Sequence, residues 1–181
     1  MLVVGLDNAG KTTVVKKMNG EDVSKIAPTF GFNISSLHLK SFRLNVWDVG
    51  GQKTLRTFWR NYFEKTDALV WVVDSADVAR LLDCKEELEK VLHEEKLAGA
   101  TLLVLANKQD MKGAMTGLDI AMALELISVE DRESVSPDLE TISGITKKRR
   151  WRVQKCSALT GEGIFEGFSF ITDDVQSRMS L

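Results

Sequence analysis

The sequence predicts an α/β fold with a mostly parallel, six-stranded sheet and helices on both faces. Segments with strand character alternate with segments of helical periodicity along most of the chain, as in folds built from strand–helix–strand units. Two strand segments, residues 68–73 and 101–106, are continuous apolar runs, which are typical of strands buried on both faces. Right-handed crossovers between such strands place helices on both sides of the sheet.

Each element follows from the periodicity of its apolar residues. The predicted strands are a short first strand that ends before Gly5, a hairpin at 32–39 and 42–47, buried strands at 68–73 and 101–106, and a last strand at 151–156. The predicted helical segments are 11–18, 55–63, 77–97, 118–126 and 164–178.

Residues 127–150 interrupt this alternation. They show little apolar periodicity, carry Glu130, Asp131 and Glu133 early, and end in the basic run at 147–150. A loop of this length inside a compact domain is generally mobile or functional. We therefore predict a single domain over residues 1–181 with a flexible insertion at about 127–150. The basic run is interpreted as a solvated loop, with a docking signal as the weaker alternative.

Composition excludes several classes of function. The formal net charge of −2 gives no electrostatic footprint for nucleic acid or an anionic membrane. No apolar run approaches the roughly 18 residues of a membrane span, so no integral membrane segment is predicted. Cys84 and Cys156 lie far apart without a C-x-x-C spacing, so neither a disulfide framework nor a zinc site is indicated. Two scattered cysteines are typical of a reducing compartment, and we expect a cytoplasmic protein.

The stretch from Gly5 to Thr12 fits the phosphate-loop spacing G-x-x-x-x-G-K-[ST] directly after the first strand. Its glycines let the backbone curl around a polyphosphate, so that successive N–H groups and the following helix N-terminus face the anion. Lys11 supplies a charge for the terminal phosphates, and Thr12 offers a hydroxyl to Mg²⁺. The loop residues expected at the nucleotide are Asp7, Asn8, Ala9, Gly10, Lys11, Thr12 and Thr13.

Asp48-Val-Gly-Gly51 supplies D-x-x-G at the end of a predicted strand. An aspartate at this place can hold Mg²⁺, and the Gly51 amide can approach a γ-phosphate because no Cβ stands in the way. The same four residues would also suit a simple turn, so this motif is weak by itself.

Asn107-Lys-Gln-Asp110 follows a buried strand at its carboxyl end, where α/β sheets bind ligands. The Asp110 carboxylate can accept hydrogen bonds from N1–H and the 2-amino group of guanine, which adenine lacks, so it would select GTP over ATP. Lys108 can lie along the base, and Asn107 can tie this loop to the phosphate loop. Ser157 and Ala158, after the last predicted strand, could place a backbone N–H near guanine O6.

With these residues assembled, the sequence resembles a small GTPase of the ADP-ribosylation factor family. The resemblance rests on 5–13, 28–33, 47–52, 59–63, 97–101 and 106–110, which together span nearly the whole chain apart from 127–150. It implies the P-loop small-GTPase fold, GTP or GDP with Mg²⁺ as bound cofactors, and a monomeric protein.

The resemblance also assigns roles that the residues alone leave open. Thr29 matches the switch I threonine that contacts Mg²⁺ and the γ-phosphate, and Gln52 matches the glutamine that orients the attacking water. Phe32, Trp47 and Tyr62 match an aromatic cluster that recognises effectors, although three core aromatics remain the competing interpretation. In the family, the hairpin between the two switch loops slides by two residues between nucleotide states.

The activity implied is a molecular switch that binds GTP and hydrolyses it slowly, because the sequence offers no evident arginine finger in cis. A GTPase-activating protein and effectors would be partners, including tubulin-folding cofactors or carriers of lipidated cargo, with microtubule or centrosome association as the cellular setting. The alternative is a nucleotide-gated binding or chaperone module with negligible turnover. An ATP-using kinase or ATPase conflicts with Asn107 and Asp110.

Overall fold

The computed structural model describes residues 1–136, 139, 141–146 and 149–180. The strands in this part of the chain are β1 (Leu2–Val4), β2 (Phe32–Leu39), β3 (Phe42–Val49), β4 (Ala68–Asp74), β5 (Thr101–Asn107), β6 (Thr141–Thr146) and β7 (Arg149–Lys155). They form one sheet in the order β2-β3-β1-β4-β5-β7-β6. The five inner strands run parallel, whereas β2 and β6 pair antiparallel with their neighbours at the two edges. The predicted α/β class with a mostly parallel sheet is confirmed.

The α-helices of the described residues are α1 (Lys11–Met18), α2 (Leu81–Leu92), α3 (Gly117–Ala123) and α4 (Ile164–Met179). Short 3-10 helices span Arg56–Tyr62, Val78–Arg80, Glu95–Leu97 and Asp131–Ser134. None of the helices in the described ranges is long and apolar enough to cross a membrane.

Helices cover both faces of the sheet, as predicted, because the buried strands are apolar on both sides. Along β4, Leu69, Trp71 and Val73 pack with residues of α2 and α3, whereas Ala68, Val70 and Val72 pack with residues of α1 and α4. The two buried indoles of Trp59 and Trp71 meet edge to face, with ring centroids 5.6 Å apart. This packing fixes the segment Arg56–Tyr62 against the sheet just after the D-x-x-G motif.

The predicted number of six strands is wrong, because residues 141–146 add a seventh. β6 pairs antiparallel with β7, which begins at Arg149, two residues before the predicted start. Its sequence Thr-Ile-Ser-Gly-Ile-Thr is rich in β-branched residues, a signal that the charged residues on either side obscured. Gly144 lies opposite Trp151, and a Cβ there would come within 2.6 Å of that indole, so the glycine allows the ring to lie on the backbone.

The predicted loop at 127–150 is therefore wrong over the residues of β6 and at 149–150, and Asp131–Ser134 forms a 3-10 turn. The basic run predicted at 147–150 is only partly covered, since residues 147 and 148 lie outside the described residues. Arg149 and Arg150 are the first residues of β7 and belong to the sheet.

The predicted helix at 77–97 is shorter in the structure. Asp77 caps a 3-10 turn by accepting a hydrogen bond from the Arg80 N–H, and α2 begins only at Leu81. At the other end, the Glu94 N–H donates to the carbonyl of Val91, three residues earlier, instead of continuing the α-helical pattern. The α-helix therefore ends at its C-cap, His93.

Candidate nucleotide-binding site

The phosphate loop connects β1 to α1 at the carboxyl end of the sheet, as the sequence predicted. Gly10 adopts a left-handed backbone with φ of 100°, and a Cβ there would collide with the Asn107 side chain. The turn therefore requires glycine both for its backbone angle and for the approach of Asn107. The Val14 N–H donates to the Gly10 carbonyl, so α1 continues directly from the loop.

Lys11 is buried beneath the loop at 6 % exposure. Its Nζ donates to the carbonyl oxygens of Leu6 at 2.6 Å and Gly5 at 3.1 Å. Burial lowers the pKa of the Lys11 ammonium to about 8, although the carboxylates of Asp48 and Asp7 partly oppose this shift. The loop thus holds an ammonium that lacks a contacting carboxylate among the described residues and that would gain from a polyphosphate.

Thr12, Thr29 and Asp48 come together at one point from three separate segments. The Thr12 hydroxyl donates to Asp48 Oδ2 at 2.6 Å and lies 2.7 Å from the Thr29 hydroxyl. Asn33 Nδ2 contacts the same carboxylate oxygen at 3.4 Å. Burial raises the pKa of Asp48, while the hydrogen bonds from Thr12 and Asn33 oppose this rise.

The second oxygen of Asp48, Oδ1, is buried and has no hydrogen-bond partner within the described part of the chain. An unpaired buried carboxylate oxygen beside two hydroxyls is an all-oxygen donor set, which is what Mg²⁺ prefers. The residues predicted for the metal therefore fit that ion.

Gly51 of the D-x-x-G motif lies directly against the phosphate loop. The Asp7 N–H donates to the Gly51 carbonyl at 3.2 Å, and a Cβ on Gly51 would clash with the loop backbone at Gly5 to Asp7. The side-chain oxygen of Gln52 is buried without a hydrogen-bond partner among the residues described. One cavity of about 650 Å³ is lined by the phosphate-loop residues 7–8 and 10–13, by Thr29, by Gly51 and Gln52, and by Lys108.

Asn107 connects the phosphate loop, the loop at 107–110 and the loop at 156–158. Its Nδ2 donates to the Ala9 carbonyl at 2.9 Å, and its Oδ1 accepts from the Ala158 N–H at 2.9 Å. Lys108 Nζ donates to the Asn8 carbonyl and to Asp74 Oδ2, both at 2.7 Å. The Asp110 carboxylate accepts from the Ser157 hydroxyl at 2.6 Å. These hydrogen bonds hold the loop at 107–110, the loop at 156–158 and the phosphate loop together. The predicted contact between Asn107 and the phosphate loop is present.

Phe32, Trp47 and Tyr62 form a cluster of three aromatic rings on β2, β3 and the segment Arg56–Tyr62. Their ring centroids are 5.1–5.7 Å apart in each pair. Phe32 is 49 % exposed, and the other two rings are half-buried. The cluster lies at the surface, next to the sheet core rather than within it.

Two arginines of the site were missed by the sequence analysis. Arg80 donates to the side chain of Asp7 at 2.9 Å and to its carbonyl at 2.8 Å. The buried Arg56 donates to the Gly51 carbonyl at 2.9 Å and to both carboxylate oxygens of Asp83 at 3.1 Å. No local motif marks either residue, because Asp83 and Asp7, which anchor Arg56 and Arg80, lie 27 and 73 positions away in the chain.

The mostly parallel sheet, with a phosphate loop between β1 and α1, defines the class of P-loop nucleotide-binding proteins. Comparison with known proteins gives the family. The sequence profile of the ADP-ribosylation factor family matches residues 1–175, and the chain belongs to that family.

Relatives support the assignment over nearly the whole chain. The chain is 53 % identical over 181 residues to ADP-ribosylation factor-like protein 2 of Arabidopsis thaliana, covering 100 % of this chain and 89 % of that protein. It is 51 % identical to the protein of the same name from Dictyostelium discoideum, covering 98 % and 88 %. With ADP-ribosylation factor-like protein 3 of Chlamydomonas reinhardtii it shares 47 % identity, covering 97 % and 90 %.

Among solved structures, the Arl6 BBS3 small GTPase from Trypanosoma brucei, with bound nucleotide analogue GppNp, has the same fold. The TM-score is 0.78 at 28 % identity, and the alignment covers 98 % of each chain. The predicted family resemblance is confirmed, and the chain is a GTP-hydrolysing, GTP-binding switch of this family.

Proposed function

We propose that this protein cycles between GTP and GDP states with Mg²⁺ and that its GTP state recruits effectors through the hairpin of β2 and β3. The observation that carries this proposal is the Thr12 hydroxyl, which lies within hydrogen-bond distance of both Thr29 and Asp48. Thr12 belongs to the phosphate loop, Thr29 to the first switch loop and Asp48 to the D-x-x-G motif. A metal and phosphate bound at this point would hold all three segments.

Thr12, Thr29 and Asp48 are the proposed residues that hold Mg²⁺, directly or through water. When bound, Mg²⁺ would neutralise charge on the β- and γ-phosphate oxygens. Lys11 would donate to the same phosphates in place of the loop carbonyls, and the amides from Asn8 to Thr13 would surround them. The unpaired Asp48 Oδ1 supports this assignment.

For hydrolysis, we propose that Gln52 orients the attacking water. Its side-chain oxygen is buried without a partner in the described part of the chain, next to Gly50, so it can accept from a water molecule. Arg56 and Arg80 both form ion pairs with the Asp7 carboxylate, at 3.7 Å and 2.9 Å. Because their guanidinium groups are held there, we propose that an activating protein supplies the positive charge that speeds cleavage.

Guanine selection is proposed for Asp110, with Lys108 along the base and the 157–158 loop near O6. Ser157 donates a hydrogen bond to one oxygen of Asp110 and restrains that carboxylate, and Asn107 accepts from the backbone N–H of Ala158. A carboxylate oriented in this way can accept from both N1–H and the 2-amino group of guanine.

The proposed switch uses two hydrogen bonds to the γ-phosphate, from Thr29 and from Gly51. Hydrogen bonds to charged groups contribute about 1.5–3 kcal/mol each, so two give roughly 3–6 kcal/mol. A difference in binding free energy of about 5.5 kcal/mol shifts a two-state element from mostly off to mostly on. Loss of the γ-phosphate is therefore sufficient to release the two switch loops. A two-residue slide of the β2–β3 hairpin would keep the same side chains on the buried face, because side chains alternate with a period of two.

Phe32, Trp47 and Tyr62 are the proposed effector contacts, since a partly exposed aromatic cluster between the switch segments offers a large apolar area. By similarity to ADP-ribosylation factor-like protein 2, we propose a tubulin-folding cofactor or a carrier of lipidated cargo as the effector. We also propose that the chain is one domain, which the single continuous sheet supports.

Two measurements test the proposal. Mass spectrometry of the nucleotide that co-purifies with the protein is expected to detect GDP or GTP and no adenine nucleotide. Single-turnover phosphate release from bound GTP should be slow in the wild type and suppressed by Gln52→Leu. The control variant is Gln176→Leu, whose side chain is exposed on α4, and it should match the wild type.

Equal uptake of ATP and GTP would contradict the proposed guanine selection. Unchanged cleavage in Gln52→Leu would reject the role of that residue. If even an added activating protein gave no phosphate release from the wild type, the alternative of a nucleotide-gated binding module would stand.

A further inference from the structure

A second cavity lies between α2 and the start of β7, and no residue of the nucleotide-site loops lines it. Its volume is about 550 Å³, which is within the range of small-molecule sites. Its apolar wall consists of Leu88, Leu92, Leu102, Leu124, Leu126 and Trp151. None of these residues belongs to the proposed nucleotide site or to the aromatic cluster of Phe32, Trp47 and Tyr62.

One cationic side chain in this cavity has no counter-ion within the described part of the chain. Arg149 lines the cavity and is 9 % exposed. Of the five N–H donors of a guanidinium, one donates to the Ala100 carbonyl at 2.9 Å. The described residues provide no carboxylate for Arg149 and no further hydrogen-bond acceptor. Buried charges are ordinarily paired, so this arrangement indicates a site for an anion.

Burial lowers the pKa of the Arg149 guanidinium below its ordinary value. By contrast, the neighbouring Arg150 is paired with the buried carboxylate of Asp174 at 3.0 Å. Two adjacent arginines at the start of β7 therefore have different environments, and only Arg149 faces the apolar cavity.

The charges at the rim limit the kind of anion. Glu94 is paired with Arg60 at 3.1 Å and Glu125 with Lys85 at 2.5 Å, while Glu89 and Glu95 also line the cavity. A ligand with several negative charges would be repelled by these carboxylates. A single carboxylate could reach Arg149 while its apolar part contacts the leucines and Trp151.

We propose that this cavity binds a small aliphatic carboxylate, with its carboxylate on Arg149 and its alkyl chain between α2 and β7. Arginine presents two parallel N–H donors in a geometry that matches one carboxylate. The site would be independent of the guanine nucleotide, because none of its residues contributes to the proposed nucleotide site.

The test uses decanoate as the probe and ¹⁵N-labelled, GDP-bound protein of residues 1–181. Decanoate should shift the amide resonances of Gly99, Ala100 and Trp151 in a saturable manner. The neutral alcohol 1-decanol, with the same chain, should bind roughly tenfold to a hundredfold more weakly, as expected for loss of a charged hydrogen-bonded pair. Arg149→Met should weaken decanoate binding by a similar factor, whereas Arg43→Gln, an exposed change on β3, should leave it unchanged.

A second variant covers the case in which Arg149→Met does not fold. Ala98→Trp places a large ring in the cavity from an exposed position and leaves Arg149 intact, so it should fold and bind GDP but lose decanoate. The proposal is overturned if decanoate causes no saturable shift, if 1-decanol binds as tightly as decanoate, if folded Arg149→Met binds decanoate like the wild type, or if Ala98→Trp does so.

Discussion

Asn107 Nδ2 donates a hydrogen bond of 2.9 Å to the carbonyl oxygen of Ala9, a residue 98 positions earlier in the chain. The other side of the same amide accepts from the Ala158 N–H, so one buried side chain joins the phosphate loop to both loops of the base end. The geometry of the phosphate loop and that of the proposed guanine pocket are therefore physically connected.

Replacing Asn107 by alanine should affect stability and nucleotide binding together. It leaves a buried carbonyl and a buried N–H unpaired, which should lower the free energy of unfolding by about 2–4 kcal/mol and weaken GDP binding at least roughly tenfold. Denaturant unfolding and GDP dissociation rates measure the two effects. Asn19→Ala, at an exposed helix end, is the matched control. A loss of stability with unchanged GDP affinity would mean that the two pockets are not coupled through Asn107.

Asp110→Asn should change the base that the protein accepts. An amide cannot accept from both N1–H and the 2-amino group of guanine, so GTP affinity should fall by roughly 10²–10⁴-fold. Xanthine carries a carbonyl where guanine carries the amino group, and the asparagine N–H₂ can donate to it, so xanthosine triphosphate should bind the variant better than GTP. Competition against a fluorescent nucleotide measures both affinities.

The control for that exchange is Asp131→Asn, which changes an exposed carboxylate in the 3-10 turn Asp131–Ser134. It should retain the preference for GTP. If Asp110→Asn kept its preference for GTP over xanthosine triphosphate, the base would have to be read by other residues.

Arg56→Met should affect the dissociation of GTP more than that of GDP. The arginine holds the Gly51 carbonyl and the Asp83 carboxylate, and its loss should cost about 2–3 kcal/mol of stability, since Asp83 and Asp7 can still be solvated. Because Gly51 is proposed to contact only the γ-phosphate, GTP should dissociate faster while GDP dissociation changes little. Arg60→Met, with an exposed guanidinium, should alter neither rate. Equal acceleration for both nucleotides would argue against this role.

Nucleotide binding should take up protons in mildly alkaline solution. Burial lowers the pKa of Lys11 to about 8, so in the nucleotide-free protein this side chain is mostly neutral at about pH 8.5. Bound phosphates favour the ammonium and raise that pKa. The bound state then holds more protons than the free state above about pH 8, and the affinity should fall as the pH rises through this range.

Calorimetry at about pH 8.5 in buffers of different ionisation enthalpy measures this uptake. It should be smaller at about pH 7, where Lys11 is already protonated in the free protein. Lys11→Met should abolish the uptake, whereas Lys90→Met, on the surface of α2, should retain it. Uptake that is equal in the wild type and in Lys11→Met would place the titrating group elsewhere.

Much of the fold and the site could be predicted because the signals are local. The phosphate loop, the D-x-x-G turn and the loop at 107–110 are contiguous residues at the ends of strands, so spacing alone places their backbone and side chains. The continuous apolar runs of β4 and β5 identify strands covered on both faces. Successive side chains of a strand point to opposite faces, so both faces of an entirely apolar strand must be shielded from water.

The tertiary structure alone decided the contacts between segments that are distant in sequence. Arg56 and Arg80 converge near Asp7 only because two 3-10 segments from different parts of the chain lie against the phosphate loop. Asn33 reaches Asp48 because β2 and β3 pair with these two residues opposite each other. The seventh strand, β6, likewise depends on its pairing with β7. A short β-branched segment does not form a stable strand without such a partner. Arg149, at the start of β7, lines the apolar cavity and donates to the Ala100 carbonyl, with no carboxylate partner among the residues that the structure describes. Local patterns fix backbone geometry, whereas the partner of a long side chain depends on which surfaces the folded chain brings within its reach.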